Sequence, residues 1–508
     1  MEAFLGIDLG TSCVKVALIT EAGQILGLGS SDISVMFPKP GYVEQRPIEW
    51  WQGTKTAIEN VQKKCPNTMI KGIGISGQML GSVLLDDNNQ VIDNCIIWMD
   101  QRSGEETDEI INKLGRQYIL DHTANDPLVS YWAPKLCWLK KHKPDIYDRI
   151  AHVLFPKDYL KFKLTGEYNI DVTDATGTML FSTEKRDWDW DMFDKLDIPR
   201  SIVPKHVSES FEIIGKVSKE AADYLNIQEG IPVVAGGGDQ MCGAIGLGVV
   251  SKGKIASTIG TSGCIFSYSD TCIIDSQQHA ILSYCHSVPN TWSVYGCTLT
   301  AGGAFQWLKN SVFSNNKQCS YDDMTRWAGN AVPGSEGLIF LPYLNGERTP
   351  HPNPDARGVF FGLSTRHGKE EICRSVMEGV TYSLNDTVEI LRNKGVTINQ
   401  VIAAGGGASS RLWCQIQADI FQAEVVTTNV KEAPATGAAM IAAVGLHSYS
   451  SFEEAAKAII KVECITAPNK SLKELYSDYY QIYKQLYDRL EPLYKAQAHN
   501  VRKWQDYE

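Results

Sequence analysis

The chain has 508 residues, 43% of them hydrophobic and 21% charged, which is the composition of an ordinary globular protein and enough length for two domains of roughly 200–250 residues. The net charge is −11 and basic residues form no long run, so nucleic acid and anionic membranes are disfavoured as partners. No apolar run approaches the roughly 18–20 residues that span a bilayer, the N-terminus has no secretory signal, and the thirteen cysteines are scattered; we therefore expect a cytoplasmic protein with reduced thiols.

The first 100 residues predict short strands and one helix. Three apolar segments are joined by Gly-containing turns: 4–10 (FLGIDLG), 13–20 (CVKVALIT) and 24–35 (QILGLGSSDISV). Turns this short favour antiparallel hairpins. Residues 46–64 have apolar side chains at helical spacing with Pro47 near the start, and residues 70–78 and 81–87 return to strand.

The second half repeats this beginning. Residues 254–269 (KIASTIGTSGCIFSYS) again predict strand, Gly-Thr-Ser turn and strand, about half a chain after the first copy. We therefore predict a duplicated α/β unit, with domains at 1–248 and 249–508 facing each other across a cleft. Near the C-terminus, apolar residues at helical spacing predict a long amphipathic helix over a domain face: Leu472, Leu475, Tyr479, Ile482, Leu486 and Leu490.

Asp8 lies in the middle of a segment that otherwise predicts a buried strand, and Gly-Thr-Ser follows it. A lone carboxylate is costly to bury unless a partner or a metal ion compensates for it. A tight turn of Gly, Thr and Ser at a strand end exposes backbone N–H groups that suit phosphate oxygens. One such turn is a weak signal, but the second at 260–262 occurs in a matching context.

A third glycine-rich turn presents an acid. Residues 236–238 are three glycines that end an apolar segment, and Asp239 and Gln240 follow. Adjacent glycines allow close approach of a ligand, and the Asp239 carboxylate is suited to accept the proton of a hydroxyl that attacks a phosphoryl group. The alternative interpretation makes Asp239 the N-cap of the next helix.

A fourth turn, AAGGGASS, contains glycines 405–407, after which Ser409 or Ser410 caps a helix that begins near Arg411. Glycine at a strand-to-helix turn lets a planar base or a phosphate lie against the main chain, so this turn is the candidate for the adenosine side of a nucleotide. It lacks the spacing of a dinucleotide site, which excludes that alternative. Residues 248–255 match the Walker A pattern except at the last position. Ile255 cannot bind Mg²⁺ there and the context predicts a strand, so we interpret the match as chance.

Taken in order, GIDLGTS, GGGDQ, TIGTSG and AAGGGASS resemble the FGGY family of carbohydrate kinases, within the actin/hexokinase/Hsp70 superfamily. Further similar segments include GYVEQRPIEWW, FPKDYLKFKLTGE, TDATGTM and LPYLNGERTPHPNP, and the resemblance continues to about residue 445. Within the family the sequence looks most like the xylulokinases.

The resemblance implies two RNase H-like, actin-like ATPase domains that close on ATP, Mg²⁺ and a small sugar or polyol. It implies that Asp239 is the catalytic base, and that Asp8 and Asp239 belong to the Mg²⁺ site. The implied nucleotide-binding residues are Asp8, Gly10, Thr11, Ser12, Lys15, Gly260, Thr261, Ser262, Gly303, Gln306, Gly405, Gly406 and Gly407. The expected reaction is in-line transfer of the γ-phosphate to D-xylulose, with ribulose, L-xylulose, a tetritol, glycerol or gluconate as alternative acceptors.

The substrate residues depart most from the family pattern. Asp239, Gln240, Met79, Leu80, Trp98 and Asp100 are the candidates to contact the sugar. Leu80 stands where xylulokinases usually have a histidine, and it cannot form that residue's hydrogen bond. Trp98 has an alternative interpretation as an ordinary core residue.

Other positions keep two interpretations. Trp132 stands where the family usually has a small residue. If the segment that contains Trp132 lines the substrate pocket, this larger side chain changes the shape of the pocket. Arg348 and His351 are either loop anchors or ligand contacts, and Glu44 and Gln45 are equally ambiguous.

Two other classes of protein share this pattern. An actin-like nucleotide-gated binding module has both phosphate loops, but such proteins activate water and have no sugar pocket, so an acid after three glycines favours the kinase. A kinase-like regulator without catalysis is disfavoured because Asp8, Asp239 and both loops are intact. The oligomeric state stays open, with a homodimer among the expected states.

Overall fold

The computed structural model describes residues 1–313 and 319–504. Its two halves are each built on a seven-stranded mixed sheet with helices packed against it. Across the described residues, no helix has both the length and the apolar composition needed to cross a bilayer.

The first half begins with the predicted strand triplet and helix. Its strands are β1 (Glu2–Leu9), β2 (Cys13–Ile19), β3 (Ile25–Asp32), β4 (Glu44–Gln45), β5 (Met69–Gly77), β6 (Val83–Leu85), β7 (Cys95–Ile96), β8 (His152–Leu154), β9 (Ile170–Asp171), β10 (Phe181–Ser182), β11 (Asp187–Trp188), β12 (Val207–Ser208), β13 (Ile213–Lys216), β14 (Pro232–Val234) and β15 (Gly237–Gly238). Its helices are α1 (Pro47–Lys64), α2 (Gly104–Leu114), α3 (Arg116–Thr123), α4 (Trp132–His142), α5 (Pro144–Tyr147), α6 (Pro156–Thr165), α7 (Val172–Ala175), α8 (Trp190–Leu196), α9 (Lys219–Leu225) and α10 (Asp239–Leu247).

The second half ends with a long helix. Its strands are β16 (Gly253–Ile259), β17 (Gly263–Ser269), β18 (Leu282–Cys285), β19 (Trp292–Thr298), β20 (Ile339–Leu341), β21 (Val359–Phe361), β22 (Ile398–Gly405), β23 (Glu424–Thr428) and β24 (Val462–Thr466). Its helices are α11 (Gly302–Trp307), α12 (Tyr321–Asn330), α13 (Lys369–Asn393), α14 (Arg411–Phe421), α15 (Ala433–Gly445), α16 (Phe452–Ile459) and α17 (Lys473–Trp504).

The two large sheets repeat one topology. The first has the order β13–β14–β5–β1–β2–β3, with β15 also paired to β5, and the second has the order β18–β19–β17–β16–β22–β23–β24. In both, the strand before the Gly-Thr-Ser turn pairs antiparallel with the strand after it and parallel with a later strand: β1 with β2 and β5, β16 with β17 and β22. The predicted hairpins, the duplicated α/β organisation and the strand at the false Walker A match are confirmed.

Helix α15 belongs to the second half of the chain but packs on the first sheet, and α10 packs against it. The approach is close enough to require glycine on β1 and β5. A Cβ atom at Gly6 would lie 1.8 Å from the carbonyl oxygen of Ala435, and one at Gly74 would lie 1.9 Å from that of Ala438. Because α10 begins at Asp239, this packing fixes the helix that presents the predicted catalytic acid.

The predicted C-terminal helix is present as α17 and covers the core of the second half. Its buried face is formed mainly by aromatic side chains: Tyr476, Tyr480, Tyr483, Tyr487 and Tyr494. Leu486 is buried as predicted, whereas Ile482 is 40% exposed and does not belong to the packed face. Leu472, Leu475, Tyr479 and Leu490 are partly buried and pack against the same core, so the predicted face is correct except at Ile482.

Candidate active site

Asp8 lies near the end of β1, directly before the first Gly-Thr-Ser turn, and only 7% of it is exposed. In the sheet register it is flanked by Lys15 on β2 and by Ser76 on β5. The Ser76 hydroxyl donates a 2.8 Å hydrogen bond to Oδ1 of Asp8. Burial raises the pKa of Asp8 to about 6, in spite of that hydrogen bond and the charge of Lys15.

Asp239 is the first residue of α10 and is partly exposed. Gly238 occupies the N-cap position, so the alternative in which Asp239 caps the helix is wrong. Burial, and then the charge of Asp8, raise the pKa of Asp239 to about 7, against hydrogen bonds from Gln240. A carboxylate whose pKa is raised by the charge of a neighbouring carboxylate belongs to a site that favours a bound proton or cation.

The two Gly-Thr-Ser turns, residues 10–12 and 260–262, are the predicted phosphate loops, and the first of them is held by side chains that the sequence patterns left undecided. Gln45 Nε2 donates to the Thr11 carbonyl over 2.7 Å, and Gln45 in turn accepts a 2.6 Å hydrogen bond from Gln78. Trp98 Nε1 donates to Thr11 Oγ1 over 2.9 Å. Trp98 is 43% exposed, so its interpretation as an ordinary core residue is wrong.

Lys15 extends from β2 beside this loop. Its Nζ lies 2.7 Å from Oε2 of Glu432, the residue that precedes α15, and both side chains are about one-third exposed. The ion pair therefore joins the first loop to the second half of the chain, where a phosphate group would compete for the same ammonium group.

The second phosphate loop borders a cavity of about 450 Å³. Its lining contains six of the predicted nucleotide-binding residues: Gly260, Thr261, Gly303, Gln306, Gly406 and Gly407. Phe305 and Trp413 add aromatic surface, and Ser410 caps α14 by accepting a 3.2 Å hydrogen bond from the Trp413 N–H, as predicted. Ser262 is exposed in the same turn. The size and lining suit a purine nucleoside.

A second cavity of about 570 Å³ lies between the two halves. Asp239 and Gln240 line one wall, and Gly405 and Ser409 line another. Ser409 also lines the cavity of the second phosphate loop, so the two cavities adjoin. The predicted acid and the predicted nucleotide turns thus face one continuous region.

The segment that contains Leu80 is held in place by packing against two glycines and by a hydrogen bond from a buried lysine. Met79 packs against Gly238, next to Asp239, and Leu80 packs against Gly177 with a positive φ of 69°. Lys135 Nζ donates to the Leu80 carbonyl over 2.7 Å. Burial lowers the pKa of Lys135 to about 8.

Trp132 is fully buried, stacks on Phe155 and donates a 2.9 Å hydrogen bond to the Gly81 carbonyl. It therefore shapes the segment that carries Leu80. Asp100 is also buried, and its carboxylate accepts from the Val43 N–H and the Arg102 side chain. The structure brings Met79 and Gln240 to Asp239 but engages Asp100 in these internal contacts.

Arg348 is the main feature that the patterns did not resolve. It borders a cavity of about 90 Å³ with Tyr295, Cys297 and Asp126. In the part of the chain that the structure describes, its guanidinium group has no hydrogen bond or ion pair. The GERTP segment was the available signal, but its sequence alone does not show what the arginine faces.

His351 acts as a loop anchor, since its ring stacks on Tyr487 with centroids 3.5 Å apart. Glu347, which precedes Arg348, is buried and accepts hydrogen bonds from Thr298 Oγ1 over 2.5 Å and from the Leu299 N–H over 3.0 Å. Burial raises the pKa of Glu347 to about 7. These contacts fix the end of β19 beside the second phosphate loop.

The sequence of this chain matches those of known proteins along nearly its entire length. The N-terminal domain of the FGGY family of carbohydrate kinases matches residues 3–246, and its C-terminal domain matches residues 255–446. The xylulose kinase of Staphylococcus epidermidis is 37% identical over 496 residues, which are 97% of this chain and 98% of that protein.

Two solved structures extend the likeness to the fold. The xylulose kinase of Rhodospirillum rubrum superposes with a TM-score of 0.91 at 26% identity, over 97% of this chain and all of that one. The gluconate kinase of Lactobacillus acidophilus gives the same score and identity over 97% and 99% of the chains. The two sheet-and-helix halves therefore have the actin-like ATPase fold, and the chain belongs to the FGGY family of carbohydrate kinases, enzymes that use ATP to phosphorylate sugars.

Proposed function

We propose that this enzyme transfers the γ-phosphoryl group of MgATP to a hydroxyl group of D-xylulose, with Asp239 as the general base. The observation that carries the proposal is the position of Asp239: a carboxylate of raised pKa at the start of α10, facing a cavity that adjoins the glycine-lined cavity of the second phosphate loop. Phosphoryl transfer requires this juxtaposition of acceptor base and nucleotide.

The nucleotide would occupy the region between the two Gly-Thr-Ser turns. Gly406 and Gly407 line the cavity that suits adenosine, while Thr11 and Thr261 belong to tight turns of the type that presents backbone N–H groups to phosphate oxygens. Lys15 supplies a cation beside the first turn once a phosphate replaces Glu432 as its partner.

Asp8 and Asp239 fit a magnesium ion. Both are hard oxygen donors, and both have pKa values raised in the protein alone, so a cation between them relieves an unfavourable concentration of negative charge. When bound, Mg²⁺ neutralises charge on the transferring phosphate.

The proton chemistry follows from Asp239. A base whose pKa lies near neutral pH accepts a hydroxyl proton efficiently, and a substantial fraction of it is ionised at that pH. The cavity lies between the two halves, so their closure would exclude water as a competing acceptor.

D-xylulose is the proposed acceptor because the similar xylulose kinases align along nearly the entire chain. Gluconate is the second candidate. Arg348 is a cation without an ion-pair partner among the described residues, beside a small cavity, and a carboxylate would complement it.

The test is an ADP-release assay with D-xylulose, D-ribulose, L-xylulose, erythritol, glycerol and gluconate, with Asp239→Asn as the inactive control. We expect the highest kcat/KM for D-xylulose. A higher kcat/KM for gluconate, lost in Arg348→Met, would transfer the assignment to the aldonate. ADP release that no acceptor stimulates would overturn the kinase proposal for this site.

A further inference from the structure

Cys264 on β17 and Cys297 on β19 are directly opposite each other in an antiparallel ladder. The N–H of Cys297 donates to Thr349 Oγ1, and the Cys297 carbonyl accepts from the Thr349 N–H, each over 3.2 Å. Both polar backbone groups of Cys297 thus point away from β17, which makes the two cysteines a non-hydrogen-bonded pair.

This type of pair has the geometry that a disulfide needs. Opposite residues at a non-hydrogen-bonded position have Cα atoms about 4.5 Å apart and side chains on one face. A disulfide accepts Cα separations of about 4.4–6.8 Å. Because Cys264 and Cys297 are opposite in the register, their side chains lie next to each other on that face of the sheet.

The pair also lies at the proposed site. Cys264 lines the cavity that contains Asp239, and Cys297 lines the small cavity that contains Arg348. Both cysteines are partly exposed. Among the strand pairings of the described residues, no other two cysteines face each other.

We propose that Cys264 and Cys297 form a reversible disulfide on reaction with hydrogen peroxide, and that this bond suppresses phosphorylation of the sugar. The formation of the bond stands on the strand geometry alone. The loss of turnover rests on the proposed function, because it requires that the cavity beside Asp239 holds the acceptor.

The chemistry balances with one peroxide molecule. The Cys297 thiolate attacks peroxide, an S–O bond forms, the O–O bond breaks and hydroxide leaves, which gives a sulfenic acid. The Cys264 sulfur then attacks the Cys297 sulfur, an S–S bond forms, the S–O bond breaks, and the leaving hydroxyl takes the Cys264 thiol proton and departs as water. Two thiols and one peroxide thus give one disulfide and two water molecules.

Cys297 is the reacting thiol. The hydrogen bond from Cys264, and then the charge of Arg348, lower the pKa of Cys297, and the thiolate is the nucleophilic form. The resulting bond holds the sulfurs about 2.05 Å apart, so both side chains must move within the cavity walls. A displacement of about 1 Å near reacting groups can reduce a rate about 10²-fold.

The experiment uses the full chain, reduced and then treated with peroxide. We expect a peptide cross-link between Cys264 and Cys297, a fall in kcat for the preferred acceptor of at least tenfold, and recovery with dithiothreitol. Cys264→Ser and Cys297→Ser, each compared with its own untreated rate, should lose less than twofold. Cys464→Ser, which removes an exposed cysteine on β24, should remain as sensitive as the unmodified enzyme.

The outcomes separate the two proposals. The disulfide proposal would be overturned if peroxide lowered turnover without forming the cross-link. It would also be overturned if both serine variants lost as much turnover as the unmodified enzyme. A cross-link that leaves turnover unchanged would overturn its effect on the sugar site. If the reduced enzyme phosphorylates no acceptor, the proposed function fails, while peptide mapping still decides whether the bond forms.

Discussion

Replacing Asp239 with asparagine should abolish turnover and, at the same time, stabilise the protein above neutral pH. Asp239 has a higher pKa in the folded protein than in the unfolded chain, rising from 3.8 to about 7. Between these values the folded state holds a proton that the unfolded state has lost, so the stability contributed by Asp239 falls as the pH rises. Asparagine carries no charge, so its contribution to the stability of the protein does not fall over this pH range.

The shift sets the size of the effect. Three pKa units correspond to about 4 kcal/mol of free energy of unfolding. Because Asp239 is partly exposed to water in the cleft, we expect about half of this, about 2 kcal/mol. For a chain of this length that corresponds to a rise in Tm of about 2–4 °C at pH 8. At pH 5 the free energy of unfolding of Asp239→Asn should exceed that of the unmodified enzyme by only about a third as much as at pH 8.

The assay is thermal unfolding of Asp239→Asn and the unmodified enzyme at pH 5 and pH 8, in buffer with a chelator so that metal ions do not stabilise Asp239. Asp223→Asn changes the net charge equally on the exposed surface of α9 and should leave Tm unchanged. A Tm difference that is the same at both pH values would refute the reasoning, because a structural effect of asparagine has no reason to follow the titration. Wild-type turnover in Asp239→Asn would remove the residue from its catalytic role.

Three further substitutions test the surroundings of the site. Asp8→Asn should weaken binding of MgATP at least tenfold while leaving magnesium-free ATP binding nearly unchanged, as measured by calorimetry; equal weakening of both would contradict a role at the metal. Glu432→Gln releases Lys15 from its ion pair and should lower the KM for ATP about twofold at low ionic strength, with the difference shrinking in high salt. Trp132→Phe leaves the Gly81 carbonyl without its donor and should cost about 1–3 kcal/mol of stability in denaturant unfolding; an unchanged midpoint would mean that water replaces the indole.

The features that the sequence predicted are those encoded locally. Two Gly-Thr-Ser turns between apolar segments, and three glycines before Asp239, specify backbone conformation within a few residues. Their placement around one region follows from the repeated strand topology, in which the end of β1 and the end of β16 have equivalent positions. The duplicated pattern therefore predicted the two-sheet fold and the second turn of the proposed nucleotide cavity, whereas Gly303 and Gln306 in its lining were implied by the family resemblance.

The features that it missed depend on contacts between distant segments. Gln45 holds the loop at Thr11 across 34 residues, and Glu432 reaches Lys15 across 417. Neither pairing leaves a periodic or local signal, because a side-chain contact constrains only the two residues that make it. The opposed cysteines are equally invisible until the register of β17 and β19 is known.

A buried ionic cluster lies behind the turn that precedes Asp239. Asp158, Asp171 and Asp174 converge closely enough to resemble a metal site, but the Lys157 ammonium group contacts all three carboxylates. The cluster continues through Asp171, which accepts a hydrogen bond from the Thr173 N–H.

Thr173 in turn connects the cluster to the active site, since its hydroxyl oxygen accepts a 2.9 Å hydrogen bond from the Gly238 N–H, one residue before Asp239. Buried ion pairs add little net stability, because the cost of removing charges from water offsets their attraction. Their value here lies in geometry: Gly238 has no side chain to fix its own position, and an acceptor anchored by buried charges defines where its N–H must point. If Asp239 is the base, as proposed, the glycines before it depend on this charged cluster for the positional precision that phosphoryl transfer requires.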